Sequence, residues 1–277
     1  GTPAGFLGVV YGHEVGPALV RDPRVDFITF TGSSKVGAEI KAASGMRRVA
    51  LELGGNGPTI LCEDAVVDDC APLCARNAMR LAGQSCISVQ TVYAHERVYD
   101  AFVARLVEEV EKLKLGDPLD PATDVGTLID EAAAVRVEAW MREAEAAGAR
   151  VLTGGRRHGA AVEPSVVVDV QPSMKVVCEE VFGPLVTVQP FRDLDAVIGG
   201  INASRFGLHC GVFTRSLETA LRCVRTIRTG GVIINGTSTW RTDQLPYGGI
   251  KDSGQGREGP RYSIRDMTEE RLVVFNL

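Results

Sequence analysis

The chain has 277 residues, 45% of them hydrophobic and 23% charged, with a net charge of −5; that is enough apolar material for a sizeable core and for two lobes. Its basic residues are scattered among acids, so neither nucleic acid nor an anionic membrane is an expected partner. No apolar run approaches the roughly 20 residues of a spanning helix, and Gly1-Thr2-Pro3-Ala4 does not open a signal peptide, which makes the cytoplasm the expected compartment.

In chain order, the apolar run within Gly5 to Gly12 predicts a strand, Glu14 to Arg21 a helix and Val25 to Phe30 a second strand, together one β-α-β unit of a parallel sheet. Thr31-Gly32-Ser33-Ser34 leads into a helix reaching about Ala43, and Arg48 to Leu53 reads as a third strand. Three strands alternating with helices make half of a doubly wound domain. From Gly54 a second α/β lobe is expected. Its predicted helices are Asp64–Leu81, Val98–Leu115, Glu131–Ala147, Asp195–Ala203 and Leu217–Ile227, and its strands are Thr91–Ala94, Arg150–Thr153, Pro164–Val170, Leu185–Val188, His209–Phe213 and Gly231–Asn235. Asn235 to Gly249 reads as a loop and Lys251 to Gly259 as a surface turn rich in glycine and charge. The final Arg271 to Leu277 is apolar enough for a strand, which would need a partner to cover its edge. The expected division is 1–53, 54–259 and 260–277.

Chemistry concentrates between Leu51 and Cys86. Glu52 sits between Leu51 and Leu53 ahead of Gly54-Gly55, and Cys86 follows across one helical connection, after Gly83-Gln84-Ser85. A partly desolvated carboxylate is a poised general base and a cysteine is a candidate nucleophile. Read singly, each has a plainer account: an internal cysteine is often a small core residue, and Glu-Leu-Gly-Gly is a strand running into a turn. Ser33 before a helix can bind an anion or simply cap the helix. Seven cysteines, odd in number and without CxxC spacing, argue against a disulfide framework, and with four scattered histidines no metal site is expected.

The segments Leu51-Glu52-Leu53-Gly54-Gly55-Asn56 and Gly83-Gln84-Ser85-Cys86 resemble the two signatures of the aldehyde dehydrogenase superfamily. Phe30 to Gly37, Glu179 to Pro184, Asn235, and Pro246-Tyr247-Gly248-Gly249 with Lys251 and Ser253-Gly254 extend the resemblance along essentially the whole chain, in the family's order. It implies a partial doubly wound dinucleotide-binding domain followed by an α/β catalytic domain. It implies Cys86 as nucleophile and Glu52 as the base that deacylates it. NAD or NADP would be held by Gly32, Ser33, Leu53, Glu180 and Phe182, although on spacing alone Glu180 reads more readily as a solvated or salt-bridged acid. Trp240, Arg241 and Tyr247 would line the aldehyde pocket, with Trp240 as a packing residue and an Arg241 to Asp243 loop ion pair as the plainer readings. Arg241 further resembles the branch that handles small anionic aldehydes.

The implied partners are a small-molecule aldehyde and other copies of the chain, as a homodimer or homotetramer paired through Arg271 to Leu277. In the family a long stretch precedes Gly1, carrying the first strands of the dinucleotide domain and an oxyanion-binding asparagine. The expectation is that this chain seeks a partner, by self-association or through a complementing N-terminal polypeptide, and that unaided it neither binds NAD tightly nor oxidises aldehydes. Two readings compete with a dehydrogenase: a non-catalytic subunit that keeps the fold, and a cofactor-independent thiol esterase.

Overall fold

The computed structural model describes all 277 residues and builds two sheets joined at one seam. The first lobe holds α1 (Val15–Arg21), β1 (Phe27–Thr31), α2 (Ser34–Ala43) and β2 (Arg48–Glu52). β1 and β2 pair in parallel, from Phe27 opposite Arg48 to Thr31 opposite Glu52. Ser33 adopts an extended conformation and its hydroxyl accepts from Val36 N, capping α2. Ile28, Ile40, Val49, Leu51 and Leu53 make the small core. The Arg47 guanidinium ties the connections together by donating to the carbonyls of Val20, Asp22 and Ala43, groups that the ends of short helices otherwise leave to solvent.

The second lobe runs β3 (Pro58–Leu61), α3 (Val67–Met79), β4 (Thr91–His95), α4 (Glu96–Glu111), α5 (Glu131–Ala146), β5 (Arg150–Thr153), β6 (Arg157–His158), β7 (Ala161–Val162), β8 (Ser165–Val168), α6 (Lys175–Cys178), β9 (Leu185–Phe191), α7 (Leu194–Ala203), β10 (His209–Phe213), α8 (Leu217–Thr226) and β11 (Gly231–Ile234). Seven of its strands form one sheet in the order β11-β10-β3-β4-β9-β8-β5. All its pairings are parallel except β5 with β8. Buried on both faces, β3, β8 and β10 show the unbroken burial expected of parallel strands under two helical layers. One layer, with α3, α4 and α5, closes a core that includes Phe102, Leu106 and Met141; the other, with α7 and α8, packs on Ile60, Val212 and Cys223.

After β11 the chain returns to the first lobe through β12 (Gly254–Gln255), which pairs antiparallel with β2, and then forms α9 (Pro260–Asp266). The segment expected to be a surface turn is therefore a strap. Ser253 is wholly buried, Leu53 N donates to Ser253 O, and Ile250 N donates to Gly207 O in the second lobe. Lys251 extends its ammonium to the carbonyls of Asn202, Ser204 and Phe206 at 2.8 to 3.1 Å, satisfying the C-terminal end of α7 with a cation.

Several expectations need correcting. The run within Gly5 to Gly12 forms no strand, and Phe6, Leu7 and Tyr11 stand exposed, because no neighbouring strand is present to receive them. The first lobe thus has two parallel strands and the antiparallel β12, in place of three alternating parallel ones. Residues 271–277 likewise carry no strand ladder in the single chain. β3, β12 and the β6–β7 hairpin were not foreseen, and the loop before Glu179 contains the helical turn α6.

Candidate active site

Glu52 ends β2 at the seam, beside the strap. The residue is 7% exposed, and Oε2 is buried without a hydrogen-bond partner. Burial, with the Glu258 carboxylate adding to it, pushes its pKa from 4.5 up to about 8, against a smaller pull from Arg257 and Arg241. A Cβ at Gly248 would stand 2.6 Å from Glu52 Oε1, so glycine is what lets the strap lie over the carboxylate.

Cys86 arrives from the other lobe on a strained turn after α3. Leu81, Ala82 and Gly83 follow one another with φ of 54°, 54° and 70°, and left-handed backbone of this kind costs on the order of 1–2 kcal/mol for each non-glycine residue. Gln84 holds the turn in place: its amide donates to the Leu81 and Thr127 carbonyls and its Oε1 accepts from Ile129 N at 2.8 Å. At Gly83 itself any side chain would run into the Gly183 carbonyl. The Cys86 sulfur lies 3.0 Å from the Tyr247 hydroxyl. Burial raises its pKa, the Tyr247 hydrogen bond pulls it back down, and the Glu52 and Glu180 carboxylates add to the rise. Of the seven cysteines only Cys86 and Cys178 are partly open; Cys62 and Cys70 are buried and pushed up to about 12.

Tyr247 packs with Ile87 and Leu208. The His209 ring meets it edge-on at 5.0 Å, and the Arg241 guanidinium sits 4.0 Å from its ring centre. The Arg241 to Asp243 pair exists, but at 3.6 Å, with Glu258 at 3.4 Å on the same nitrogen. Such long, partly exposed pairs contribute little and leave the guanidinium able to engage another anion. Trp240 stands on the surface, 54% exposed.

Glu180 reaches the seam from the loop after α6. Its Oε1 accepts from Gly55 N at 3.2 Å, and burial, offset by that bond and by Arg136, raises its pKa to about 6; it is thus no salt-bridged surface acid. Gln90, 5% exposed, builds that loop: its amide donates to the Val176 and Glu179 carbonyls at 3.1 and 2.7 Å and its Oε1 accepts from Val181 N at 2.8 Å. Nothing in the residues around Gln90 marks it in advance, since all three partners lie more than 80 positions away. Phe182 follows with φ of 47° and is 40% exposed at the loop's edge.

At the other end of the seam, Leu53 packs so closely on α2 that a Cβ at Gly37 would meet its methyls. The Ser33 hydroxyl caps α2, as the plainer account had it, and Gly32 N already donates to the Glu52 carbonyl at 3.0 Å. The structure therefore brings Cys86, Glu52, Tyr247, Arg241 and Glu180 together, while Gly32, Ser33 and Leu53 line the neighbouring α2 end. A dinucleotide suits this arrangement in one specific respect. The Glu180 carboxylate, held by a single backbone donor, keeps acceptor capacity for hydroxyl groups.

Two mainly parallel sheets meeting at a seam, each with one antiparallel pairing, and a thiol and a buried carboxylate brought to that seam define an α/β protein with a cysteine-centred site. Residues 1–273 match the model of the aldehyde dehydrogenase family. The chain belongs to that family. It is 45% identical over 279 aligned residues to a 3-sulfolactaldehyde dehydrogenase of Priestia aryabhattai, covering 100% of this chain and 58% of the relative. It is 38% identical over 266 residues to a lactaldehyde dehydrogenase of Methanococcus vannielii, covering 96% of this chain and 57% of that one. Among solved structures, an NADP-dependent glyceraldehyde-3-phosphate dehydrogenase from Bacillus halodurans complexed with NADP superposes with a TM-score of 0.91 at 35% identity, over 95% of this chain and 55% of its own. Aldehyde dehydrogenase 21 from Physcomitrella patens, in complex with the reaction product succinate, gives 0.89 at 40% identity over 93% and 54%. The chain thus spans a little over half the length of the relatives it matches.

Proposed function

We propose that this chain carries the catalytic portion of an NAD(P)-dependent dehydrogenase that oxidises a small aldehyde to a carboxylic acid. The observation that carries the reading is the pairing of the Cys86 thiol, 3.0 Å from the Tyr247 hydroxyl, with the buried and partnerless Oε2 of Glu52 across the seam. Cys86, as thiolate, adds to the aldehyde carbon. Sulfur suits both halves of the task, since it adds to carbonyls and leaves from thioesters. When bound, the nicotinamide cofactor supplies an acceptor for the hydride. Glu180 and Phe182 would hold its ribose and ring, with Leu53, Gly32 and Ser33 beside its remainder. Glu52 then acts on the acylated cysteine by taking a proton from water, and a base with a pKa near 8 is well matched to that step at neutral pH. Support for the cofactor comes from the NADP bound in the Bacillus halodurans neighbour.

The substrate we propose is an anionic aldehyde, gripped by Arg241 through paired N–H donors. The compared proteins named for 3-sulfolactaldehyde and glyceraldehyde-3-phosphate, and the one holding succinate, all concern anionic compounds. We also propose self-association as a homodimer or homotetramer through the exposed segment around Leu272 to Phe275, and completion of the cofactor site by a further N-terminal polypeptide.

The test is to incubate the chain, with the N-terminal portion supplied, with an aldehyde and NAD(P)+, and to read reduced cofactor and intact mass together. Glu52→Gln should give one burst of reduced cofactor and an acyl adduct on Cys86 that persists; Cys86→Ala should give neither. Steady turnover by Cys86→Ala, or an adduct that clears at the normal rate in Glu52→Gln, removes the assignment. Ester cleavage without any cofactor-dependent aldehyde turnover would instead favour a thiol esterase.

A further inference from the structure

Tyr247 is buried to 3% exposure among Ile87 and Leu208, and a phenol in such a place requires a partner for its hydroxyl. The partner it has is the Cys86 sulfur at 3.0 Å. The ring is fixed from two sides, by the Arg241 guanidinium 4.0 Å from its centre and by the edge of His209 at 5.0 Å and 74°. His209 is itself held, with Nδ1 at 3.0 Å from the Ser238 carbonyl. The hydroxyl is therefore aimed at the sulfur by packing that does not depend on substrate.

We propose that Tyr247 is a catalytic residue whose hydroxyl donates a hydrogen bond to the Cys86 thiolate, favouring the charged sulfur and holding it in line before the aldehyde arrives. This deepens the assignment of Cys86 as nucleophile and rests on it. The thiol proton passes to solvent, while Tyr247 keeps its own because burial pushes its pKa upward. The sulfur lone pair then forms the new bond to the aldehyde carbon and the carbonyl electron pair moves onto oxygen. A sulfur bonded to carbon is a poorer acceptor than a thiolate, so the same hydroxyl favours the free nucleophile over its adducts. The titratable and charged groups that face the pair are Glu52 from β2, Glu180 from the loop after α6, His209 from β10, and Arg241, Arg257 and Glu258 from the loop and strap. The carboxylates among them oppose the thiolate, and the Tyr247 O–H, ahead of the Cys86 backbone, is the larger hydrogen-bonding contribution that favours it.

The experiment is the pH dependence of alkylation by iodoacetamide, read by peptide mass spectrometry so that Cys86 and the partly open Cys178 are followed separately in the same sample. In Tyr247→Phe the ring volume is kept and the donor is lost. The midpoint for Cys86 should rise by about one pH unit, the scale of one hydrogen bond to a charged group, while that of Cys178 stays in place. Fluorination of the Tyr247 ring, which strengthens the donor and disturbs packing less, should move the Cys86 midpoint downward. A Cys86 midpoint that moves with neither change overturns the proposal, whether or not Cys86→Ala is inactive. Retention of turnover by Cys86→Ala overturns the choice of nucleophile, and with it any catalytic role for Tyr247.

Discussion

Replacing Glu52 by Gln should make the protein more stable at alkaline pH while removing the proposed deacylating base. Glu52 is 7% exposed with one orphaned carboxyl oxygen, and its pKa in the fold is raised from 4.5 to about 8. A raised carboxyl pKa means that the folded state binds the proton more tightly than the unfolded chain. Stability is then fullest below 4.5 and falls as pH rises through the interval up to about 8. At about 1.4 kcal/mol per unit, that interval corresponds to an upper bound of about 5 kcal/mol. Hydration of Oε2 and the polarisable surroundings reduce the working figure to about 2 kcal/mol. Gln mimics the neutral carboxyl, so urea unfolding of the two proteins should differ little near about pH 4 and diverge by about 2 kcal/mol in favour of Glu52→Gln near about pH 8.5. A gap that stays constant between those two conditions would refute the argument, because it would mean that the carboxyl is ionised throughout or fully solvated.

Arg241→Ala should lower kcat/KM for an anionic aldehyde by about one to two orders of magnitude, the scale of a lost charge-assisted contact, and leave a neutral aldehyde of equal length nearly unaffected; equal losses for both would return Arg241 to a loop-stabilising role. Gln90→Leu should destabilise the fold by about 3 kcal/mol, since a donor pair and an acceptor serving three buried backbone groups disappear together, and a thermal melt within a degree of wild type would show that those groups find water instead.

Much of the site could be read from the residues because its members sit in short contiguous motifs. Glu52 is followed one residue later by two glycines, Cys86 follows a Gly-Gln-Ser turn, and Tyr247 and Glu180 belong to similarly compact strings. The strands β4, β9, β10 and β11 also announce themselves through β-branched runs. What escaped notice depends on distant partners. Gln90 and Lys251 look like ordinary polar residues until carbonyls from other elements surround them. Gly254–Gln255 becomes a strand only because Glu52 and Leu51 lie opposite. The run within Gly5 to Gly12 failed in the reverse sense: its pattern records the capacity to form a strand, while forming one also requires a neighbour with free backbone groups. Pro58 sits at the head of β3, and a proline after Gly54-Gly55-Asn56-Gly57 reads as a break, although a strand's first residue tolerates it well.

The strap from Tyr247 to Glu258 has a mechanical consequence. It is hydrogen-bonded to β2 through Gly254 and Ser253, to the second lobe through Gly207 and Arg205, and to itself through the Tyr247–Glu258 bridge. The carboxylate of Glu52 is therefore riveted to the first lobe, whereas the Cys86 sulfur and the Tyr247 phenol ride together on the second, packed with Ile87, Leu208 and His209. Any breathing of the seam would change the carboxylate's distance from that pair while sulfur and phenol travel as one piece, in the manner of a clutch plate lifting from its flywheel.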